Sequence, residues 1–434
     1  MAAQPDSNSR TDDINLTTPS FFGGNDPHTI WRRWRTEEPV RWTQGRLRHG
    51  FWSVTRHADM RFVLMNDTRI FSVQRHGANL PAGPEFEAPE DALFTELSHS
   101  GAQLAIMDGQ PHTDLRRQFW NFFSPGGVRD LDAMVRRITN NLLADLLEQG
   151  SCDFTTDFAG KVPTAVIAAI LGIPESHWAD LYRWNNMLAA PEDPEFAMGD
   201  ALATQTEGVS NIMRTCIDLA ASKRGKGGAD LLTALTTAEI DGRPLSDTEI
   251  GFNGLMFFAA GHETTRASMS TGLVELMAAP DQWRHLRDHR QDREVLRRAG
   301  EECVRYSSPL THTLRTATED TEIGGQRIAE GDRVVLWFHG ANRDPAVFTD
   351  PERFDVTRQK NEHLGFAVGK HFCLGMHLAR LDMAVMLGAM LEHLEDVEPA
   401  GPVEMASSNL FWGIKHLPIR FRAKSGKALR EEGT

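Results

Sequence analysis

Residues 247–279 run for 33 positions without a proline, opened by Ser246 with Glu249 three positions on and closed by Pro280. The Ser–Glu pair is a capping-box signature and the proline a stop, so the spacing predicts one continuous helix. At ~1.5 Å per residue it would be about 50 Å long, the width of a whole domain, and much of it must cross an interior. Gly254, Gly261, Glu263, Thr264 and Thr265 all fall inside it. A chain organised round such a rod is mainly helical.

A second helix is predicted after Cys373, where Leu374, Leu378, Leu381 and Val385 recur at helical spacing. Two short alternating stretches add a small β-rich lobe: residues 40–54, read as a hairpin, and residues 321–338, where Gly324 and Gly325 separate β-prone runs. No repeat and no Gly/Ser-rich or Pro-rich linker divides the interior, so one domain is expected over residues 19–422. Residues 1–18 and 423–434 are polar and read as a flexible N-terminal arm and a polar tail.

Composition narrows the function classes. With 40% hydrophobic and 24% charged residues the chain reads as an ordinary soluble globular protein, and its formal charge of -14 repels phosphate backbones and anionic membranes. Nucleic acid and membrane partners are not expected. Cys152, Cys216, Cys303 and Cys373 show neither a disulfide framework nor zinc-ligand spacing, which fits a reducing cytoplasm. The polar N-terminus reads as neither signal nor anchor, and the most apolar stretches are about half the ~20 residues a spanning helix needs.

The segment 366–375, FAVGKHFCLG, sets a cysteine between a glycine-bearing loop and a helix start. Unpaired N–H groups and the positive end of a helix dipole favour an anion there, so Cys373 is expected to be a low-pKa thiolate, a nucleophile or a metal ligand. Gly369 would let the backbone approach something flat and bulky.

This loop resembles the haem-binding loop of the cytochrome P-450 superfamily, matching it at Phe366, Gly369, His371, Cys373 and Gly375, and departing at Ala367, where the family usually has glycine. Other motifs follow in the family's order. Residues 260–265, AGHETT, are similar to the segment crossing the distal face of the haem; Glu302 and Arg305 match E-x-x-R; Arg353 lies in the segment that supplies a second arginine; His112 and Arg116 match H-x-x-x-R; and Arg315 follows Pro309. The resemblance implies the cytochrome P-450 fold and haem b with Cys373 as axial thiolate and iron ligand.

It also implies a task for each match. His112, Arg116, Arg315 and His371 would hold the haem propionates, with Ala260, Gly261, Phe366, Gly369 and Gly375 against the ring. Glu302, Arg305 and Arg353 would form a structural ion triad. Thr264 would donate a proton to bound dioxygen, Glu263 would relay protons to it, and Gly261 would leave room for the oxygen. The reaction implied is monooxygenation of a hydrophobic small molecule such as a terpenoid, steroid or alkyl-aromatic. Alternatives on the same scaffold are a peroxygenase or an oxidative coupling enzyme, and from another class a haem carrier or gas sensor.

No G-x-G-x-x-G follows a strand, so electrons are expected from a ferredoxin and its reductase, received on a basic patch of Lys370, Arg117 and Arg380. By the same resemblance Met256, Ala260, Leu310, Thr311, Leu410 and Phe411 would line the substrate pocket. His312 is read as a packed histidine rather than a ligand.

Overall fold

A computed structural model describes residues 7–81 and 103–424. The helices that place the site are α1 (Ser7–Leu16), α2 (His28–Glu37), α3 (His57–Met65), α4 (Gly109–Phe123), α5 (Pro125–Leu147), α6 (Lys161–Leu171), α7 (Trp178–Ala189), α8 (Ala201–Lys223), α9 (Asp247–Ala278), α10 (Arg293–Ser307) and α11 (Met376–His393). Apart from a short hairpin of Glu239–Ile240 with Arg243–Pro244, the strands are β1 (Val40–Thr43), β2 (Phe51–Val54), β3 (Phe71–Ser72), β4 (Ser151–Asp153), β5 (His312–Ala317), β6 (Thr321–Ile323), β7 (Gln326–Ile328), β8 (Arg333–Trp337), β9 (Leu394–Pro399), β10 (Glu404–Met405), β11 (Ile414–His416) and β12 (Pro418–Ala423).

The long rod is α9, one residue shorter than its spacing predicts. Its start is a complete capping box: Ser246 N–H donates to Glu249 Oε2 at 2.7 Å, and Ser246 Oγ accepts from Glu249 N–H at 3.3 Å. Packing against α6, α8, α10 and α11 buries it on most sides, and the main apolar core is built round it. A helix so enclosed needs no single apolar stripe.

The β-rich part is a five-stranded sheet in the order β1-β2-β8-β5-β3, with the hairpin β1–β2 pairing Val40 with Val54 and β8 running parallel to β2. Its two faces carry smaller apolar clusters of their own. β6 and β7 form the hairpin round Gly324 and Gly325, both at positive φ. A three-stranded sheet, β9-β12-β4, and the pair β10–β11 complete the lobe.

The N-terminal arm differs from expectation. Residues 1–6 lie outside the described residues, but residues 7–16 form α1, and Leu16 is fully buried with Phe22, Trp31 and Trp34. Asp13 pairs with buried Arg41 at 2.5 Å, and Thr17 Oγ1 accepts from Arg46 N–H at 2.9 Å. Polar composition misleads here because Asp13 is the partner of a buried guanidinium and not part of a solvated face. At the other end Ala423 closes β12 against Leu394, while residues 425–434 lie outside the described residues.

Candidate active site

A cavity of about 1110 Å³ lies between α9 on one side and α11 with the Cys373 loop on the other. Cys373 reaches its wall and is the one cysteine to do so among the described residues. The loop is fixed by its own backbone: Cys373 N–H donates to the Phe366 carbonyl at 2.8 Å, and Ala367 N–H to the Leu364 carbonyl at 2.7 Å. Ala367, at the position where a glycine is usual, takes φ +52°, the left-handed conformation that glycine adopts at no steric cost.

Two details of the loop correct the sequence reading. α11 begins at Met376 with Gly375 as its cap, so Cys373 sits ahead of the helix and not in its first turn; the Gly375 N–H, Arg116 and Arg380 favour its thiolate against the opposing effect of burial. Gly369 does not line the cavity. Its φ is +81°, and a Cβ there would lie 2.1 Å from the Leu64 carbonyl oxygen, so what it approaches is the backbone at the end of α3 and not a flat group in the cavity.

On the rim, His112 and His371 stack at 4.1 Å with their planes 25° apart. Burial lowers His112 to about 4 and His371 to about 2, leaving both rings neutral. Arg116 lies over the Phe372 ring at 4.1 Å and donates to the Phe372 carbonyl at 2.7 Å. Arg315 also reaches the cavity, but its guanidinium is already held by buried Asp67 through two hydrogen bonds of 2.9 and 3.0 Å. A guanidinium in β5 needs that counterion to be buried at all.

Beneath the loop, Glu302 accepts from Arg305 Nε at 2.8 Å and Nη2 at 2.7 Å, both side chains being fully buried. The second arginine is Arg358, whose Nε lies 3.2 Å from Glu302; Arg353, expected in that role, is exposed and offers only its carbonyl to Arg305 at 3.0 Å. Asn361 and the Asp355 N–H fill the remaining acceptor sites of Glu302 at 3.0 and 2.8 Å. The chain turns at residues 351–353 with side chains outward and folds back five residues later, which spacing alone does not reveal.

On α9, Ala260, Gly261 and Thr264 face the cavity. Thr264 Oγ donates to the Ala260 carbonyl at 3.0 Å, the bond a β-branched hydroxyl commonly makes within a helix. Gly261 does not leave open room: a Cβ there would be 3.0 Å from Ile167 Cγ1, so the position serves close packing of α9 on α6. Glu263 points away from the cavity into a buried cluster, paired with Arg266, which in turn donates to Asn186 at 2.8 Å, with Asn185 Nδ2 at 3.4 Å. The open relay expected from the sequence is a closed ion pair here, as a buried carboxylate requires.

A family model described as Cytochrome P450 matches residues 203–414. The chain is 33% identical over 407 residues to a linalool 8-monooxygenase of Pseudomonas putida, covering 93% of this chain and 98% of that one. The chain belongs to the cytochrome P450 family. It is also 34% identical over 401 residues to a steroid C26-monooxygenase of Mycolicibacterium smegmatis, covering 91% and 90% of the two. Among solved structures, a Mycobacterium marinum P450 in complex with pseudoionone superposes with a TM-score of 0.85 at 30% identity, covering 97% of this chain and all of that one (100%). A P450 of Novosphingobium aromaticivorans gives 0.82 at 28% identity, over 96% and 99%.

The cofactor of a P450 is haem b on an axial cysteine thiolate, and the cavity fits it. Both ring nitrogens of His112 and Nε2 of His371 are buried with no hydrogen-bond partner among the described residues, beside the guanidinium of Arg116. One N–H from each neutral ring, together with the Arg116 guanidinium, gives donors that suit buried carboxylates like the haem propionates. Gly375 and Phe366 line the same wall, and a Cβ on Gly375 would meet no protein atom within 4 Å, so it would project into free space.

Of the pocket residues, Met256, Ala260, Leu310, Leu410 and Phe411 line the cavity of this P450, and Thr311 does not. Thr311 Oγ1 is buried against the Asn409 carbonyl and His312 Nδ1, pinning the 409–411 turn. His312 is packed, as read: Nε2 accepts from Leu80 N–H at 3.0 Å, and burial lowers it to about 3. Three further acids belong to no motif legible in the sequence: Asp67, Glu301 and Asp382. Asp382 lines the cavity from α11, and burial raises it to about 8; its signal was an acid breaking the apolar run of that helix.

Proposed function

We propose that this P450 uses dioxygen and two electrons from a ferredoxin and its reductase to hydroxylate, or otherwise oxidise, a hydrophobic small molecule of terpenoid, steroid or alkyl type. The observation that carries the reading is that Cys373, on its loop, and Thr264, on α9, look onto one largely apolar cavity from opposite sides. The names of the two relatives, a terpene and a steroid monooxygenase, support the substrate class.

Cys373 would hold the iron, with His112, Arg116 and His371 at the propionates. Haem, when bound, supplies the oxygen-activating iron, and thiolate ligation favours O–O cleavage. Thr264 holds a proton on its hydroxyl at the cavity wall, and delivering it means leaving the Ala260 carbonyl. Glu263 acts as its proton source only by opening its pair with Arg266.

For the electron donor, Lys370 is exposed on the loop beside Cys373, and Arg117 is 71% exposed next to Asp114. Arg380 drops out of that patch because both its Nε and Nη2 are committed to Glu301. No helix among the described residues is long and apolar enough to cross a membrane, and a cytoplasmic location agrees with the free cysteines.

The test has two arms. The ferrous carbon monoxide adduct should carry the red-shifted Soret band of thiolate ligation, and terpenes, steroids, fatty acids or alkyl-aromatics should drive the ferric iron to high spin. Product formed with ferredoxin, reductase and oxygen should exceed that formed with peroxide. A histidine-type spectrum removes the haem-thiolate site, and the reverse ranking of oxidants makes the protein a peroxygenase.

A further inference from the structure

Outside the cavity, one carboxylate ties together the two ends of the segment that carries Cys373. Glu301 neighbours Glu302 on α10, but successive residues are turned about 100° apart on a helix, so the two carboxylates serve different partners. Glu301 Oε2 lies 3.0 Å from His363 Nε2 and 3.2 Å from Arg380 Nη2, and its Oε1 accepts from Arg380 Nε at 2.5 Å. His363 precedes the cysteine loop, and Arg380 follows it on α11.

Both partners grip the same ring. The Arg380 guanidinium stands 5.0 Å over Phe366, and the His363 ring is 5.5 Å from it. The Phe366 carbonyl takes the Cys373 N–H, and His363 Nδ1 accepts the Gly365 N–H at 3.1 Å. Each link from Glu301 to the backbone of Cys373 is therefore a hydrogen bond or a ring contact. Burial opposes the charge on Glu301, yet His363 and Arg380 hold it down to about 2, so it stays ionised.

We propose that Glu301 is a positioning residue for the iron ligand: by clamping His363 and Arg380 it fixes Phe366, and through Phe366 the direction in which the Cys373 sulfur meets the cavity. Hydrogen bonding round a ligating sulfur tunes the metal, so a loosened clamp should change the properties of the iron and not only the stability of the fold. The inference rests on Cys373 being the haem ligand; a parent protein without a thiolate-type band would sink that assignment, whereas the comparison below bears on Glu301 alone.

The experiment uses the haem-loaded protein and its Glu301→Gln, Arg380→Lys and Leu296→Ala variants, the last a core change on the same helix. The ferric/ferrous midpoint potential is measured, with the rate at which the carbon monoxide adduct loses its thiolate-type band in mild urea. Glu301→Gln should shift the potential and convert about tenfold faster than Leu296→Ala at matched thermal midpoint, the factor expected for losing a charge-assisted hydrogen bond. Arg380→Lys, which keeps the charge, should lie between parent and Glu301→Gln. Should Glu301→Gln not fold, Arg380→Lys and His363→Gln carry the comparison. Parent-like potentials, or conversion that follows thermal stability equally in all variants, overturn the proposal.

Discussion

His416 Nε2 lies 2.8 Å from Glu195 Oε2, joining strand β11 to the 190–200 segment between α7 and α8. The other ring nitrogen is 2.5 Å from Asp153 of β4, Lys415 reaches Asp193 at 2.9 Å and Glu195 at 3.4 Å, and Glu404 stands opposite in the β10–β11 register. Burial would lower His416, but Asp153 and Glu195 outweigh it and raise its pKa. A group raised above its unfolded value of about 6.5 contributes fully below that pH and loses its contribution as pH rises through the folded value. Pro191 of the tethered segment lines the cavity. Amide exchange of residues 190–200, corrected for intrinsic rates, should therefore quicken above neutral pH, and His416→Gln should abolish that pH dependence. A parent whose protection is flat from pH 6 to 9 would show that the ring is not the tether.

The two arginines near Glu302 should separate cleanly. Arg358→Ala removes a largely buried charged donor from a fully buried carboxylate and should cost about 2 kcal/mol in urea unfolding. Arg353→Ala keeps the carbonyl that Arg305 uses and should stay within about 0.5 kcal/mol of the parent. The opposite order would return Arg353 to the network.

Two glycines of the cysteine loop should respond differently to a methyl group. Gly369→Ala forces a Cβ against the Leu64 carbonyl at positive φ, at a cost of roughly 3 kcal/mol or more, so soluble yield and bound haem should fall together. Gly375→Ala meets no protein atom and should leave yield and helical circular dichroism unchanged while haem content drops. Full haem content in Gly375→Ala would mean the ring does not lie over that position.

Thr264→Ala should leave the fold intact, since it gives up only a hydroxyl bond within its own helix. Product per electron pair should fall by about an order of magnitude as peroxide release rises, the range of a lost proton donor. Coupling equal to the parent would remove Thr264 from the reaction.

What could be read in advance followed the local character of each signal. The span of α9 came from a cap, a proline and an unbroken run of residues, and the two hairpins came from alternation round turn residues; all three depend on neighbours in sequence. Arg358 and Glu301 stayed hidden because their roles are set by where the chain folds back, and no spacing rule distinguishes Arg353 from Arg358 as the partner of a distant glutamate. Arg266 stands only three residues after Glu263, but that the pair closes away from the cavity depends on Asn185 and Asn186 of α7, which lie far away in sequence. Helix α1 is illegible for a related reason: Asp13 looks like a solvated acid until Arg41 is placed beside it.

The Leu64 carbonyl fills the space beside Gly369, and on the outward side of the same short helix Phe62 and Met65 are 39% and 51% exposed. Helix α3 thus works as a stiff rod with one end braced on the sulfur-bearing loop and one flank in water. Whatever shifts that flank reaches the cradle of the pigment through a direct contact of one backbone on another.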